Sequence, residues 1–170
     1  MISNFLEILI LSIVQGISEF IPVSSSAHLI IFSNVINFSN KFLIFDIGLH
    51  LGSLLAIIYY FKKELLNISN DKKLFNLLII GSIPLILVGY IFYSTGIINS
   101  FRNLKIIAWT TLIFGILMYF ADTFKVKKDI ENDLTIKNIL IIGILQILAI
   151  IPGVSRAGIT ITAGRFLNFD

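Results

Sequence analysis

The chain reads as an all-α integral membrane protein: an inverted-topology repeat with two re-entrant helical hairpins and three full spans between them. Three observations predict this. Of the 170 residues, 56% are hydrophobic and only 14% charged, against about 25% charged in ordinary soluble domains, and mean hydropathy is +0.95. Apolar runs recur near the length that a bilayer core demands, about 20 residues for a helix rising about 1.5 Å per residue. One polar pattern set in apolar surroundings occurs twice, near either end of the chain. Composition also excludes classes. Without cysteine there is neither a disulfide nor a Cys-ligated metal. The net charge of +3 sits in loops and makes no dense basic patch interleaved with aromatics, so nothing suggests nucleic acid.

Residues 1–38 form the first hairpin. Residues 1–23 are an apolar helix interrupted by Gln15 and Glu19; residues 27–38 are a second apolar piece, too short to span. Pro22 cannot continue the first helix without a break. Ser24, Ser25 and Ser26 follow where a new helix needs an N-cap. No Lys or Arg precedes Lys41, so the positive n-region of a signal peptide is missing.

Residues 42–121 hold the three spans. They run over 42–61, over 74–93 with a kink expected at Pro84, and over 104–121 with Trp109 and Tyr119 near its ends. Residues 62–73, 94–103 and 122–137 are polar connections. Residues 138–151 are apolar and end at Pro152; with a last apolar piece at 159–167 they form the second hairpin, 138–167. Residues 1–170 are thus one membrane domain. Lys62, Lys63, Lys72 and Lys73 lie in one loop, and Lys125, Lys127, Lys128 and Lys137 in another two spans away, so both loops share a side. The opposite side carries Lys41, Arg102 and Lys105. The positive-inside rule places the lysine-rich loops in the cytoplasm.

The repeat is I-V-Q-G-I-S-E-F-I-P-V-S-S-S-A-H against I-L-Q-I-L-A-I-I-P-G-V-S-R-A-G-I. One gap aligns Gln15 with Gln146 and Pro22 with Pro152. Three spans lie between the copies, and an odd number sends the second hairpin in from the opposite side. Broken helices of this kind meet near the midplane, at the site. Helix N-termini after Pro22 and after Pro152 would then face one pocket, and a helix N-terminus with free N–H groups attracts anions.

Several residues have two readings. Arg156 is either an arginine reaching the interface or a clamp on phosphate oxygens, which a guanidinium grips bidentately. Glu19 either pairs with Arg156 or serves as a divalent-metal ligand or general base. His28 is either a core histidine bonded to a backbone carbonyl or a proton carrier one turn into the helix that the serines begin. Ser24 and Ser25 are caps, or hold phosphate, or supply a nucleophile activated by His28. Gln15 is a helix–helix hydrogen-bond partner or a ligand. Asp46 and His50, spaced i,i+4, make interhelical hydrogen bonds or support the site from behind. Ser155 and Thr160 cap a helix or extend a phosphate cradle. Together these residues point to a phosphate or diphosphate ligand, on a lipid because the site is reached from the bilayer.

Q-x-x-x-E, then F-x-P-V-S-S-S-x-H-L, and later P-G-x-S-R-x-x-x-T resemble the undecaprenyl-diphosphate phosphatase family linked to bacitracin resistance. F-D-I-G-L-H-L-G-S-L-L-A also resembles that family's span after the first motif. The resemblance covers essentially the whole chain. It implies hydrolysis of the C55 isoprenyl diphosphate to the monophosphate, which recycles the lipid carrier of cell-wall synthesis, in the cytoplasmic membrane of a bacterium. By match, Gln15 and Glu19 take the family's acidic-motif positions. Ser24, Ser25, Ser26 and His28 take those of the serine–histidine motif, and Ser155, Arg156 and Thr160 those of the second. It also implies a divalent cation, Mg²⁺ or Ca²⁺, with Glu19 as its ligand, and a polyprenyl diphosphate lipid as substrate. A homodimer is left open as an assembly.

Three features depart from the family pattern. Ala157 stands where the family usually has Ser, and Gln15 is the uncharged variant of its position. The chain also stops just after the second hairpin, where the repeat predicts three further spans; a C-terminal truncation is expected. The reading from another class is a transporter or flippase for an anionic or phosphate-bearing lipid. A third is a fragment that only associates with other membrane subunits.

Overall fold

Apolar runs become helices throughout the computed structural model, which describes residues 2–35 and 43–170. Helix α1 (Ile2–Ser18) and helix α2 (Ser25–Val35) are the arms of the first hairpin and pack on one another. Helices α3 (Leu43–Tyr60), α5 (Lys72–Ser94) and α7 (Leu104–Asp122) follow, joined through α4 (Lys62–Asn70) and the single turn α6 (Ile97–Ser100). After the short α8 (Ile130–Asp133), helix α9 (Ile136–Gln146) runs into a 3₁₀ turn at Ile147–Ile150. Helix α10 (Arg156–Phe166) closes the second hairpin. No strand occurs among the described residues; an isolated bridge joins Lys128 to Phe169.

Helices α5 and α7 are long and apolar enough to cross a membrane. A core helix of a soluble protein would pass the same length test but would be mostly buried. In both helices only 11% of the apolar window is buried. Their side chains therefore face outward, as in a lipid-facing helix. The described apolar part of α3, Phe45–Tyr60, is shorter. The start of the expected first span at residue 42, the end of the first hairpin and Lys41 lie outside the described residues.

Element ends differ from expectation where capping decides them. The first helix ends at Ser18, not at residue 23, and Glu19 adds one more bond, its N–H donating to the Gln15 carbonyl at 3.0 Å. Helix α10 begins at Arg156, three residues before the apolar piece, because Ser155 is its N-cap and accepts from Gly158 N–H at 3.1 Å. Residues 62–73 are mostly helical rather than a loop. K-K-E-L-L-N-I-S-N is polar by composition but amphipathic at helical spacing. Asp71 then caps α5 through Lys73 and Leu74 N–H. Helix α5 continues through Pro84.

The second hairpin is held by α5 and α7. Helix α9 lies along α5, and a Cβ at Gly143 would run into the Gly81 carbonyl, so the two backbones touch there. Such close approach is how helices pack in lipid, where apolar burial between them supplies little. Helix α10 packs on α7 and α9. Leu77, Leu134, Ile139 and Phe169 form one buried cluster, which ties the last residues back onto the start of α5. Leu11 and Leu29 form a second inside the first hairpin, with Phe45 and Leu49 of α3 against it. Ala27, Ile30 and Ile107 join α2 to α7.

Candidate active site

The two hairpins touch at their breaks. Ser24 precedes α2 in the capping position, with Ala27 N–H at 3.4 Å from its hydroxyl oxygen. The same oxygen accepts the N–H of Gly153 at 3.1 Å and lies 3.2 Å from Ser26 Oγ. Gly153 sits at φ +100°, and a Cβ there would strike Thr110 Oγ1. Thr110 in turn donates to the Pro152 carbonyl at 2.7 Å. A Cβ at Gly158 would be 3.3 Å from the Pro22 carbonyl. Thus α7 holds the second break by its carbonyl, and the second break holds the first by Ser24. Helices α2 and α10 start side by side, each behind a serine cap; their free N–H groups and dipoles make the region attractive to an anion.

Beside this junction, polar groups of α1, α2 and α3 converge. Gln15 is 1% exposed, and its Nε2 donates to Glu19 Oε2 at 3.0 Å and to Ser53 Oγ at 3.5 Å. The i,i+4 spacing of Gln15 and Glu19 makes the first contact, as expected. The Ser25 hydroxyl donates to the same Glu19 oxygen at 2.6 Å, a charge-assisted bond when the carboxylate is ionised. His50 brings Nε2 to 3.4 Å from Ser25 Oγ and 3.7 Å from Glu19 Oε2. Its Nδ1 is 2.8 Å from the Asp46 carbonyl oxygen, and the Asp46 carboxylate pairs with Arg102. Gln15 Oε1 is buried with no hydrogen-bond partner. An orphaned buried acceptor costs about 1–3 kcal/mol, so the site is short of a donor or a cation.

The expected site residues divide. Gln15, Glu19 and Ser25 are brought together, and Ser24 and Ser26 lie at the hairpin junction. Glu19 and Arg156 form no ion pair; the group beside Glu19 is His50. Arg156 opens α10 with an exposed side chain. His28 is half-buried, its Nδ1 2.8 Å from the Ser24 carbonyl. Ser155 and Thr160 spend their hydroxyls inside α10, the first on Gly158 N–H and the second donating to the Arg156 carbonyl at 2.8 Å. Sequence reasoning passed over Ser53 and Thr110. Asp46, His50 and Ser53 make an i, i+4, i+7 polar stripe on an otherwise apolar helix, a signal that includes Ser53.

No three or more His, Cys, Asp or Glu gather into a metal cage among the described residues. The oxygens of Glu19 and Gln15 still fit a hard cation held in another way. Mg²⁺ is commonly bound by one or two carboxylates, with the substrate's phosphates and water supplying the rest.

Fold and site together define an all-helical membrane protein with an anion-attracting junction beside a Ser–Glu–His cluster. Residues 8–170 match the family model described as bacitracin resistance protein BacA, and the chain belongs to that family. Over an alignment of 171 positions that takes in the whole of this chain, it is 60% identical to an undecaprenyl-diphosphatase of Pelagibacter ubique (strain HTCC1062), covering 67% of that protein. It is 41% identical to an undecaprenyl-diphosphatase of Alteromonas mediterranea, over 95% of this chain and 65% of the relative. To one from Jannaschia sp. (strain CCS1) it is 40% identical, over 98% of this chain and 67% of the relative. The chain therefore spans about two thirds of the length of the curated relatives it matches.

Proposed function

We propose that the chain carries undecaprenyl-diphosphate phosphatase chemistry: hydrolysis of undecaprenyl diphosphate to undecaprenyl phosphate and inorganic phosphate. This recycles a lipid carrier for cell-wall synthesis and underlies bacitracin resistance. The observation that carries the reading is the Ser25 hydroxyl donated to Glu19 Oε2 at 2.6 Å, at the start of a helix that abuts a second helix start carrying Arg156.

The terminal phosphoryl group sits between the starts of α2 and α10. Arg156, with no internal ion-pair partner among the described residues, is free to grip its oxygens. Ser24 and Ser26 line the cradle, Ser155 and Thr160 hold the start of α10 that carries Arg156, and Gln15 steadies Glu19. Ser25, or a water in its place, attacks phosphorus. The proton passes to Glu19, the bond from phosphorus to the bridging oxygen breaks, and the lipid monophosphate leaves with that oxygen; where Ser25 is the nucleophile, a water then attacks the phosphorus on Ser25, breaks the Oγ–P bond and frees inorganic phosphate. His28 carries a proton at the edge of the site. A divalent cation, Mg²⁺ or Ca²⁺, held by Glu19 with Gln15 Oε1, would supply neutralisation of phosphate charge when bound. Stabilising the spread charge of the phosphoryl group is the main source of rate in such transfers.

The membrane placement belongs to the same proposal. The chain is one domain in the bacterial cytoplasmic membrane, crossing it with α3, α5 and α7 and entering it from opposite sides with two hairpins. What supports the repeat is that α2 and α10 are both 11 residues long and both follow a proline and a serine cap.

The test is phosphate release from lipid diphosphate by the purified chain in detergent, where no bilayer separates two sides. Release that falls steeply, to a measurable residual rate, in Ser25→Ala and in Glu19→Gln supports the reading. Binding without release, together with lipid movement across vesicles, would replace it with a carrier.

A further inference from the structure

We infer that His50 is a positioning residue that fixes the Ser25 hydroxyl against Glu19 through its Nε2; the inference deepens the reaction proposed above and rests on it. The Ser25 hydroxyl has one proton, and two groups of the site face it: Glu19 Oε2 at 2.6 Å and His50 Nε2 at 3.4 Å. A serine hydroxyl otherwise turns freely about its Cα–Cβ bond among three staggered wells. Flanked by the carboxylate and the ring, its oxygen stays in the well beside Glu19, where the hydroxyl proton bonds the carboxylate.

The ring is itself held. Nδ1 lies 2.8 Å from the Asp46 carbonyl, which can only accept, so Nδ1 carries a proton and that bond sets the ring's orientation. The residue supplying that carbonyl is fixed through its side chain to Arg102, between α6 and α7. Arg102, Asp46, His50 and Ser25 thus form one chain of contacts, from the loop before α7 to the proposed nucleophile. His50 is the α3 side chain that faces Ser25 Oγ, while Ser53, one turn along, reaches Gln15.

The substitutions separate the two ring nitrogens. A glutamine places its terminal amide near the position of Nε2, an asparagine near that of Nδ1. With the full chain in detergent, His50→Ala is expected to lower kcat at least about tenfold with KM within about twofold, a pattern of lost transition-state alignment. His50→Gln should recover most of the loss and His50→Asn little of it. In a Ser25→Ala background, His50→Ala should add nothing, because the two act through one hydroxyl. Unchanged kcat in His50→Ala, recovery by Asn in place of Gln, or additive losses would overturn the inference.

A readout free of turnover separates this from failure of the proposed reaction. The chain has no cysteine, so Ser25→Cys introduces a lone thiol. Its alkylation by iodoacetamide should be about tenfold slower when His50→Ala is added, since a neighbouring imidazole favours the reactive thiolate, and His50→Gln should fall between. An alkylation rate indifferent to residue 50 rejects the contact. A His50-dependent thiol in a chain that releases no phosphate keeps the contact and rejects the reaction.

Discussion

The N–H of Gly153 donates to Ser24 Oγ at 3.1 Å, joining two helix breaks 129 residues apart in the chain. Ser24 has two tasks, capping α2 and receiving the other hairpin, and Gly153 is where the second break differs from the first by one added residue. That added residue has φ +100° and no room for a side chain. The insertion is therefore what lets the second break present an N–H to the first.

Replacing Gly153 by alanine should break this joint. The left-handed backbone costs an L-residue about 1–3 kcal/mol, and the added methyl meets Thr110. We expect a lower melting temperature in detergent and loss of phosphate release. Gly16→Ala, inside α1 where a Cβ would meet nothing within 4 Å, should lower neither.

Cysteine pairs test the same joint without relying on activity. Ser24 or Ser26 combined with Val154 or Ala157, each replaced by Cys in this cysteine-free chain, should yield at least one disulfide in membranes. Cα atoms must approach within about 7 Å for this. A diphosphate analogue should slow the cross-link. If no pair forms, the starts of α2 and α10 do not face each other in the membrane.

Arg156→Lys should separate stability from activity. The side chain is exposed and no ion pair among the described residues holds it, so unfolding should hardly change. Losing the bidentate fork should lower kcat/KM about tenfold or more, about 1.4 kcal/mol of transition-state binding. Near-normal turnover would remove Arg156 from the phosphate site.

Gln15→Glu should tighten cation use. The position is buried and 3.0 Å from Glu19, so a second carboxylate there adds a hard ligand. The Mg²⁺ or Ca²⁺ concentration giving half-maximal phosphate release should fall. An unchanged cation titration would place the cation elsewhere.

Topology is checked with reporter tags. Tags at residues 62–73 and 122–137 should report the cytoplasm, and one at 94–103 the outside. Opposite reports from the two lysine-rich segments would break the proposed span count and the inverted repeat with it.

Local chemistry was legible in the sequence by itself. Apolar runs had to be helices, because in lipid every backbone polar group must be satisfied within the segment. Pro22 and Pro152 marked the two breaks, although Pro84 lies inside an unbroken α5, and a serine after each break was the natural cap. The Gln15–Glu19 contact followed from a spacing of four. Helix α4 was missed because its composition is polar although its spacing is helical. The tertiary structure alone decided which distant groups meet. His50 faces Ser25 rather than a neighbouring helix at large, Ser53 reaches Gln15, and Ser24 receives Gly153. Each of these depends on how α3 and α7 lie against the hairpins, and that follows from close packing, such as Gly143 on Gly81 and Thr110 on Gly153, which no local spacing encodes.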